Sequence, residues 1–445
     1  MPDSAANNLA HGFGGVHDLP IPLWLAISAA IGALIVSFVI LALTTRPETP
    51  ERSVRDRAIP LLRAIVDSRG WLIGWRVVGV LLAGYTLYAA VWAHDLATNP
   101  LFGIFYVWMW VGVVLASMLF GEVWKAISPW RAIAAVLHAG RGTRDPIFTY
   151  PPRLGMWPAT IGLLAFTWME LIYPNNDLQA PVRTWLAVYA AVMVIGGQLW
   201  GDAFYENCDP FEVYSSLMAR ISPWARVDGR LVLRNPLANL DATPVRPGQI
   251  AVLSVLFGTI SYDAFHDALP WVKFTQTSGW STAHPGWVIW VNDAALIGFP
   301  LVVGTFFFVG TMCTGIGDVR RRELPGLLAP SLIPIVAGYV IAHYLSYFWI
   351  AGQLTLQKVS DPNSTGADWF GTANLPINYW LVQHATLLAV LKVIAVVIGH
   401  VLGVISAHRR ALRALPREHL ITGQLPLLVT MIGFTGGGLY LLFST

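Results

Sequence analysis

Runs of about twenty apolar residues recur along this chain, and a run of that length crosses the roughly 30 Å hydrocarbon core of a bilayer as a helix. Ten can be traced: Ile21–Leu43, Trp71–Ala93, Leu101–Phe120, Met156–Tyr173, Thr184–Trp200, Gln249–Leu269, Trp287–Met312, Leu327–Ala351, Tyr379–Ser406 and Leu425–Phe443. Within lipid the backbone finds no water to bond, so each run must satisfy its own N–H and C=O groups, as a helix does. The sequence therefore predicts an all-α, polytopic bundle of ten spans, a single integral membrane domain over residues 1–445. Composition agrees, with 12% charged residues against about 25% in soluble chains. Twenty Trp and fourteen Tyr suit the interfacial belts of such a protein. Met1 to Pro20 carries no Lys or Arg, so the basic region of a signal peptide is missing. The first run is expected to stay as a membrane helix.

Positive charge sets the orientation, because inner loops are enriched in Lys and Arg. Alternate loops hold Arg46 to Arg69, Lys125 to Arg153, Arg220 to Arg246, Arg320 to Arg322 and Arg409 to Arg417, which together account for 23 of the 28 basic residues. The other loops hold only Arg183, Lys273 and Lys358. Both termini are thus expected outside. Loops 122–153 and 202–246 become cytoplasmic and amphipathic, with Phe211 to Met218 along the membrane surface. Segment 354–378 becomes an outer loop or lid. A parallel repeat of spans three-four and five-six is read from Gly121-Glu122 against Gly201-Asp202, and from Arg153…Gly155…Glu170 against Arg246…Gly248…Asp263. Repeats of this kind build sites at their interface. Pro300, Pro330 and Pro334 are read as interruptions of the seventh and eighth spans.

Ionisable groups at membrane depth are costly and tend to be functional. Asp263, His266 and Asp267 fall at i, i+3 and i+4, one face of a helix. Asp263 lies roughly 9 Å from the outer end of its span, His343 about 12 Å and His384 roughly 8 Å from theirs. Glu170 and Asp293 also lie in outer halves, so a shared chamber beneath the outer surface is expected. Three chemistries fit these residue types. Asp263, His266, Asp267, His343 and His384 could ligate a transition metal. His343 and His384 could be axial ligands of a haem b, with His400 roughly 24 Å below His384. Glu170, Asp263, Asp293 and Lys392 could be stations of a proton or ion path. His11 and His17 could add ligands from the N-terminal tail. No basic cluster with interleaved aromatics points to nucleic acid, so the expected partners are the lipid bilayer and a small molecule or ion; partner subunits are left open. Cys208 and Cys313 are too few for a disulfide framework.

Short stretches carry a further resemblance. His11-Gly12, Asp18-Leu19-Pro20-Ile21-Pro22, Asp209-Pro210-Phe211-Glu212, Ser261-Tyr262-Asp263, Ala342-His343-Tyr344, Gly399-His400-Val401-Leu402-Gly403 and Ala407-His408 resemble bacterial polytopic membrane proteins often labelled fenitrothion hydrolase. The resemblance implies a protein of the bacterial cytoplasmic membrane, and a metal-dependent organophosphate hydrolase. The sequence carries no Gly-x-Ser-x-Gly, His-Glu-x-x-His or binuclear metal signature. The leading expectation is a His/carboxylate metal or haem site used in redox or metal handling. Beside it stand a proton-coupled secondary transporter and the hydrolase.

Overall fold

The computed structural model describes residues 15–44, 57–140, 145–314, 319–415 and 421–443. The chain is 76% helical, with almost no strand. Ten long helical stretches occur among the described residues: α1 (Leu23–Thr44), α2 (Arg69–Val91), α3 (Pro100–Phe120), α4 (Trp157–Leu171), α5 (Gln179–Trp200), α6 (Gln249–His266), α7 (Val288–Met312), α8 (Leu332–Ser360), α9 (Ala385–Ala411) and α10 (Leu425–Leu442). Eight are long and apolar enough to cross a membrane. The other two, α4 and α6, have 15 and 18 residues. They lie where the fourth and sixth spans are expected.

The chain forms two compact units. One holds residues 1–54, 237–346 and 379–445; the other holds 55–236 and 347–378. Helix α8 thus gives its first half to one unit and its second half to the other. The expected repeat is divided as well, with α3 to α5 in the second unit and α6 in the first.

In the first unit, helices meet where side chains are smallest. A Cβ on Gly399 would lie 2.5 Å from the Pro334 carbonyl oxygen, and one on Gly403 would lie 2.9 Å from that of Ser331. Gly338 likewise abuts the Ala395 carbonyl and the Gly399 Cα. Residue numbers rise along α9 as they fall along α8, so the two helices run antiparallel, backbone on backbone. Close approach through small residues is how helices associate where lipid offers no hydrophobic drive. Helix α6 is buried on nearly every side, from Val252 to Ala264. Pro330 and Pro334 do not interrupt α8: Pro330 sits in the 3-10 turn Ala329–Ser331 before it, and Pro334 in its first turn. There a missing N–H costs nothing, because the first-turn donors have no intrahelical partner. Pro300 does lie inside α7.

The second unit is built on aromatics. Trp110 lies 4.7 Å from Phe166 and 5.0 Å from Tyr214 between ring centroids. Gly103–Gly112 of α3 is wound as a π-helix, a form usually confined to single turns. Segment 202–246, expected as a cytoplasmic amphipathic loop, carries secondary structure of its own. It contains the hairpin Trp224–Val227/Arg230–Leu233, with Arg57–Ala58 as a third antiparallel strand. Asp228 and Gly229, both at positive φ, form the two-residue turn that an Asp-Gly pair favours. Helix Pro210–Met218, expected on the membrane surface, is buried along almost its whole length.

Candidate functional site

Asp263 is one turn from the end of α6 and points inward. Its Oδ2 accepts from His343 Nε2 at 2.9 Å and from the Tyr344 hydroxyl at 3.0 Å. All three side chains are buried, with His343 9% exposed. Adjacent residues of α8 thus converge on one carboxylate oxygen. Tyr262, before Asp263, donates to Asn292 Oδ1 of α7 at 3.0 Å, and Trp271 Nε1 donates to the same oxygen. The polar groups of α6 are therefore tied to α7 on one side and α8 on the other.

The rest of the expected face comes apart. Helix α6 ends at His266, and Asp267 caps it. His266 Nδ1 pairs with Asp267 Oδ1 at 3.1 Å, both side chains more than a third exposed. They form a helix-end pair rather than joining Asp263. His384 is a correction as well. The ninth span is expected from Tyr379, but α9 begins at Ala385, and His384 has non-helical φ and ψ. Its ring is exposed and bonds to the Trp380 carbonyl at 2.7 Å. His343, buried, and His384, exposed, therefore have different environments. Glu170 belongs to the other unit, where the Asn176 amide donates to its carbonyl. Asp293 lies half-buried in the second turn of α7. Lys392 is buried in α9, and the Asp18 carboxylate acts on it electrostatically. His400 is fully buried, its Nδ1 bonded to the Val396 carbonyl at 2.8 Å. Gly399 and Gly403 beside it are packed against α8. His11 lies outside the described residues, and His17 is exposed. Among the described residues no group of three His, Cys, Asp or Glu could hold a metal ion.

A second polar cluster, in the other unit, joins Asp202, Asp209 and Glu212, whose motifs the sequence offers, to Arg131, which it does not single out. Arg131, on helix Pro129–Gly140, is fully enclosed. Its Nε and Nη2 donate to the two oxygens of Glu212 at 2.7 and 2.5 Å, and Nη1 pairs with Asp202. Tyr205 stacks under the guanidinium at 5.0 Å. Next to Glu212, Asp209 caps its helix and accepts from Trp124 Nε1, the Tyr189 hydroxyl and the Phe211 and Glu212 amides. Burial pushes the Glu212 carboxyl up to about 7, against the pull of Arg131. It also raises Asp209, against those four donors. Burial works against charge on Arg131, yet Glu212 and Asp202 hold its pKa above the usual value. The signal available in sequence was Asp209-Pro210-Phe211-Glu212: a capping Asp, a Pro at the first helical position and an acid in the first turn.

Fold and site together define a multi-pass helical membrane protein with two buried ionisable clusters. No protein-family model matches the chain, and comparisons with curated proteins and with solved structures find no match.

Proposed function

We propose that this protein is a proton-coupled secondary transporter of the cytoplasmic membrane, with ten spans and both termini outside. In this reading Asp263 and His343 are its proton-exchange pair. The observation that carries it is the 2.9 Å hydrogen bond between the Asp263 carboxylate and the His343 imidazole, enclosed within one helical unit. Two groups that each bind and release a proton share one there, and Tyr344 steadies the carboxylate when it is ionised. A buried carboxylate that must alternate between charged and neutral forms can tie substrate movement to proton movement.

A second reading rests on the same bond. Histidines that bind metal commonly give their other ring nitrogen to a carboxylate, as His343 does to Asp263. A metal centre in redox or metal handling, or the metal-dependent hydrolase the resemblance implies, would need further ligands from outside the described residues. For that reason the proton reading stands first.

The test is reconstitution in proteoliposomes with a lumenal pH dye and a panel of candidate ions and small solutes. The reading expects one class of solute to move protons, and Asp263→Asn to lower that flux by about a hundredfold, as loss of an essential proton-transfer group does. Equal flux in Asp263→Asn and the unaltered protein refutes it. Elemental analysis and a visible spectrum of the same preparation test the metal reading, which expects stoichiometric metal that falls in His343→Ala.

A further inference from the structure

We infer that the segment after α8, Asp361 to Asn378, lies in the membrane surface beside α2, with Trp369 and Phe370 seated among lipid at the boundary between headgroups and acyl chains. The inference concerns a connection between helices rather than a span. It does not depend on the proton-coupling reading.

Helix α2 faces outward along most of its length, with only Gly79, Ala89 and Ala90 buried. Leu81 and Leu87 are more than half exposed, as on a helix that meets lipid. Near its end Tyr85, Tyr88 and Trp92 fall at i, i+3 and i+7 and share one face. The segment is laid against that face. Phe370 packs on Tyr85 with ring centroids 6.1 Å apart, Trp369 packs on Tyr88 at 5.6 Å, and Trp92 stacks on Tyr88. Hydrogen bonds fix the same alignment. The Tyr85 hydroxyl donates to the Val359 carbonyl at 2.7 Å, and the Asn363 amide donates to the Tyr88 hydroxyl at 2.8 Å. His94 Nδ1 donates to the Asn363 carbonyl at 3.1 Å.

Depth follows from the neighbours of α2. The Ala89 carbonyl accepts from the side chain of Asn99, just before α3, and from that of Gln179, the first residue of α5. The ends of α2, α3 and α5 therefore share the level of Ala89. Tyr85 lies one turn below it, about 6 Å, and Phe370 is beside Tyr85. The tip of the segment thus reaches below the common end of three apolar helices instead of rising away from them.

Its chemistry suits that place. Trp92, Trp369 and Phe370 are each more than half exposed, and Trp and Tyr rings gather at the membrane–water boundary. Backbone groups there need protein partners, because acyl chains offer none. The Trp369 amide donates to the Ser360 carbonyl, and the Phe370 and Thr372 amides donate to Ser360 Oγ. The charged residues turn to their own loop: Asp361 accepts from the Thr365 and Gly366 amides, and Asp368 from that of Ala373. The aromatic face continues the outward apolar surface of α2, so lipid rather than another protein chain is the partner inferred.

The first experiment needs no substitution. Full-length protein in phosphatidylcholine vesicles that carry a photoreactive acyl chain is irradiated, and modified peptides are read by mass spectrometry. Adducts are expected on Trp369 or Phe370 as well as on α2 around Leu81 and Leu87. A second measurement reads depth, with Cys208→Ser and Cys313→Ser and a single dye-labelled cysteine at Phe370→Cys or Thr365→Cys. The Phe370→Cys label should lose most of its emission to lipids spin-labelled at a shallow acyl position and little to aqueous iodide. The Thr365→Cys label, on the polar side of the loop beside Asp361, should do the reverse. Adducts on α2 with none on the Trp369–Phe370 peptide, and iodide quenching both labels alike, overturn the inference. Shielding of the Phe370→Cys label from both quenchers overturns it too, because another protein chain would then cover the rings.

Discussion

At the scale of single residues, the two clusters differ in what they ask of their charges. Arg131 and Glu212 meet through two parallel hydrogen bonds inside the protein. Removing one partner of such a pair strands the other charge and costs about 3–5 kcal/mol. Arg131→Met should therefore lower the thermal midpoint in detergent sharply, whereas Arg131→Met with Glu212→Leu should recover much of the loss. Glu212 also gives the protein a pH dependence. Its carboxyl is raised from 4.5 to about 7 in the folded chain, so the folded state holds that proton more tightly than the unfolded one. The stabilisation is complete below about 4.5 and is lost as pH rises through about 7, on the order of 3 kcal/mol in all. Asp209, raised by burial, adds in the same direction. Thermal melts across this window should show falling stability, and Glu212→Gln should flatten the fall. A melt that rises with pH would show that Glu212 stays ionised when folded.

At the scale of elements, long apolar runs were legible because their length has one physical use. Their ends were harder to read. By hydropathy the ninth run starts at Tyr379, but an apolar stretch does not reveal that His384 leaves helical geometry and turns its ring back on Trp380. Pro330 and Pro334 looked like breaks because a proline marks a missing donor without saying whether the position is first or middle. Asp263, His266 and Asp267 share a helical face by spacing, yet the helix stops at His266, and only Asp263 turns inward. The Arg131 cluster is not legible in sequence spacing, because Arg131 and its partners Asp202, Tyr205 and Glu212 converge from three separate short helices. The Gly338–Gly399 crossing gives an element-level prediction. Gly399→Leu must push α8 away at the Pro334 carbonyl, at a cost of about 1–3 kcal/mol or more. Gly437, with open space where a Cβ would go, should accept alanine with little change in thermal midpoint.

At the scale of the whole molecule, the chain builds two compact units from interleaved segments, a grouping that hydropathy alone does not report. Asp263, His343, Lys392 and His400 all fall in one unit, Arg131, Asp209 and Glu212 in the other. The orientation read from basic loops makes Cys313, exposed just past the end of α7, reactive from the cytoplasmic side. An impermeant thiol reagent added to intact cells should leave it unmodified, and disruption of the membrane should expose it.

The claim on which the function turns is that Asp263 takes up and gives back a proton within the bilayer. Infrared difference spectra of the lipid-reconstituted protein, recorded between acid and alkaline buffer, read that event directly. The account predicts a protonated-carboxyl band that appears on acidification, moves in deuterated buffer, shifts in His343→Gln and is missing from Asp263→Asn. Spectra that are the same for Asp263→Asn and the unaltered protein would contradict it.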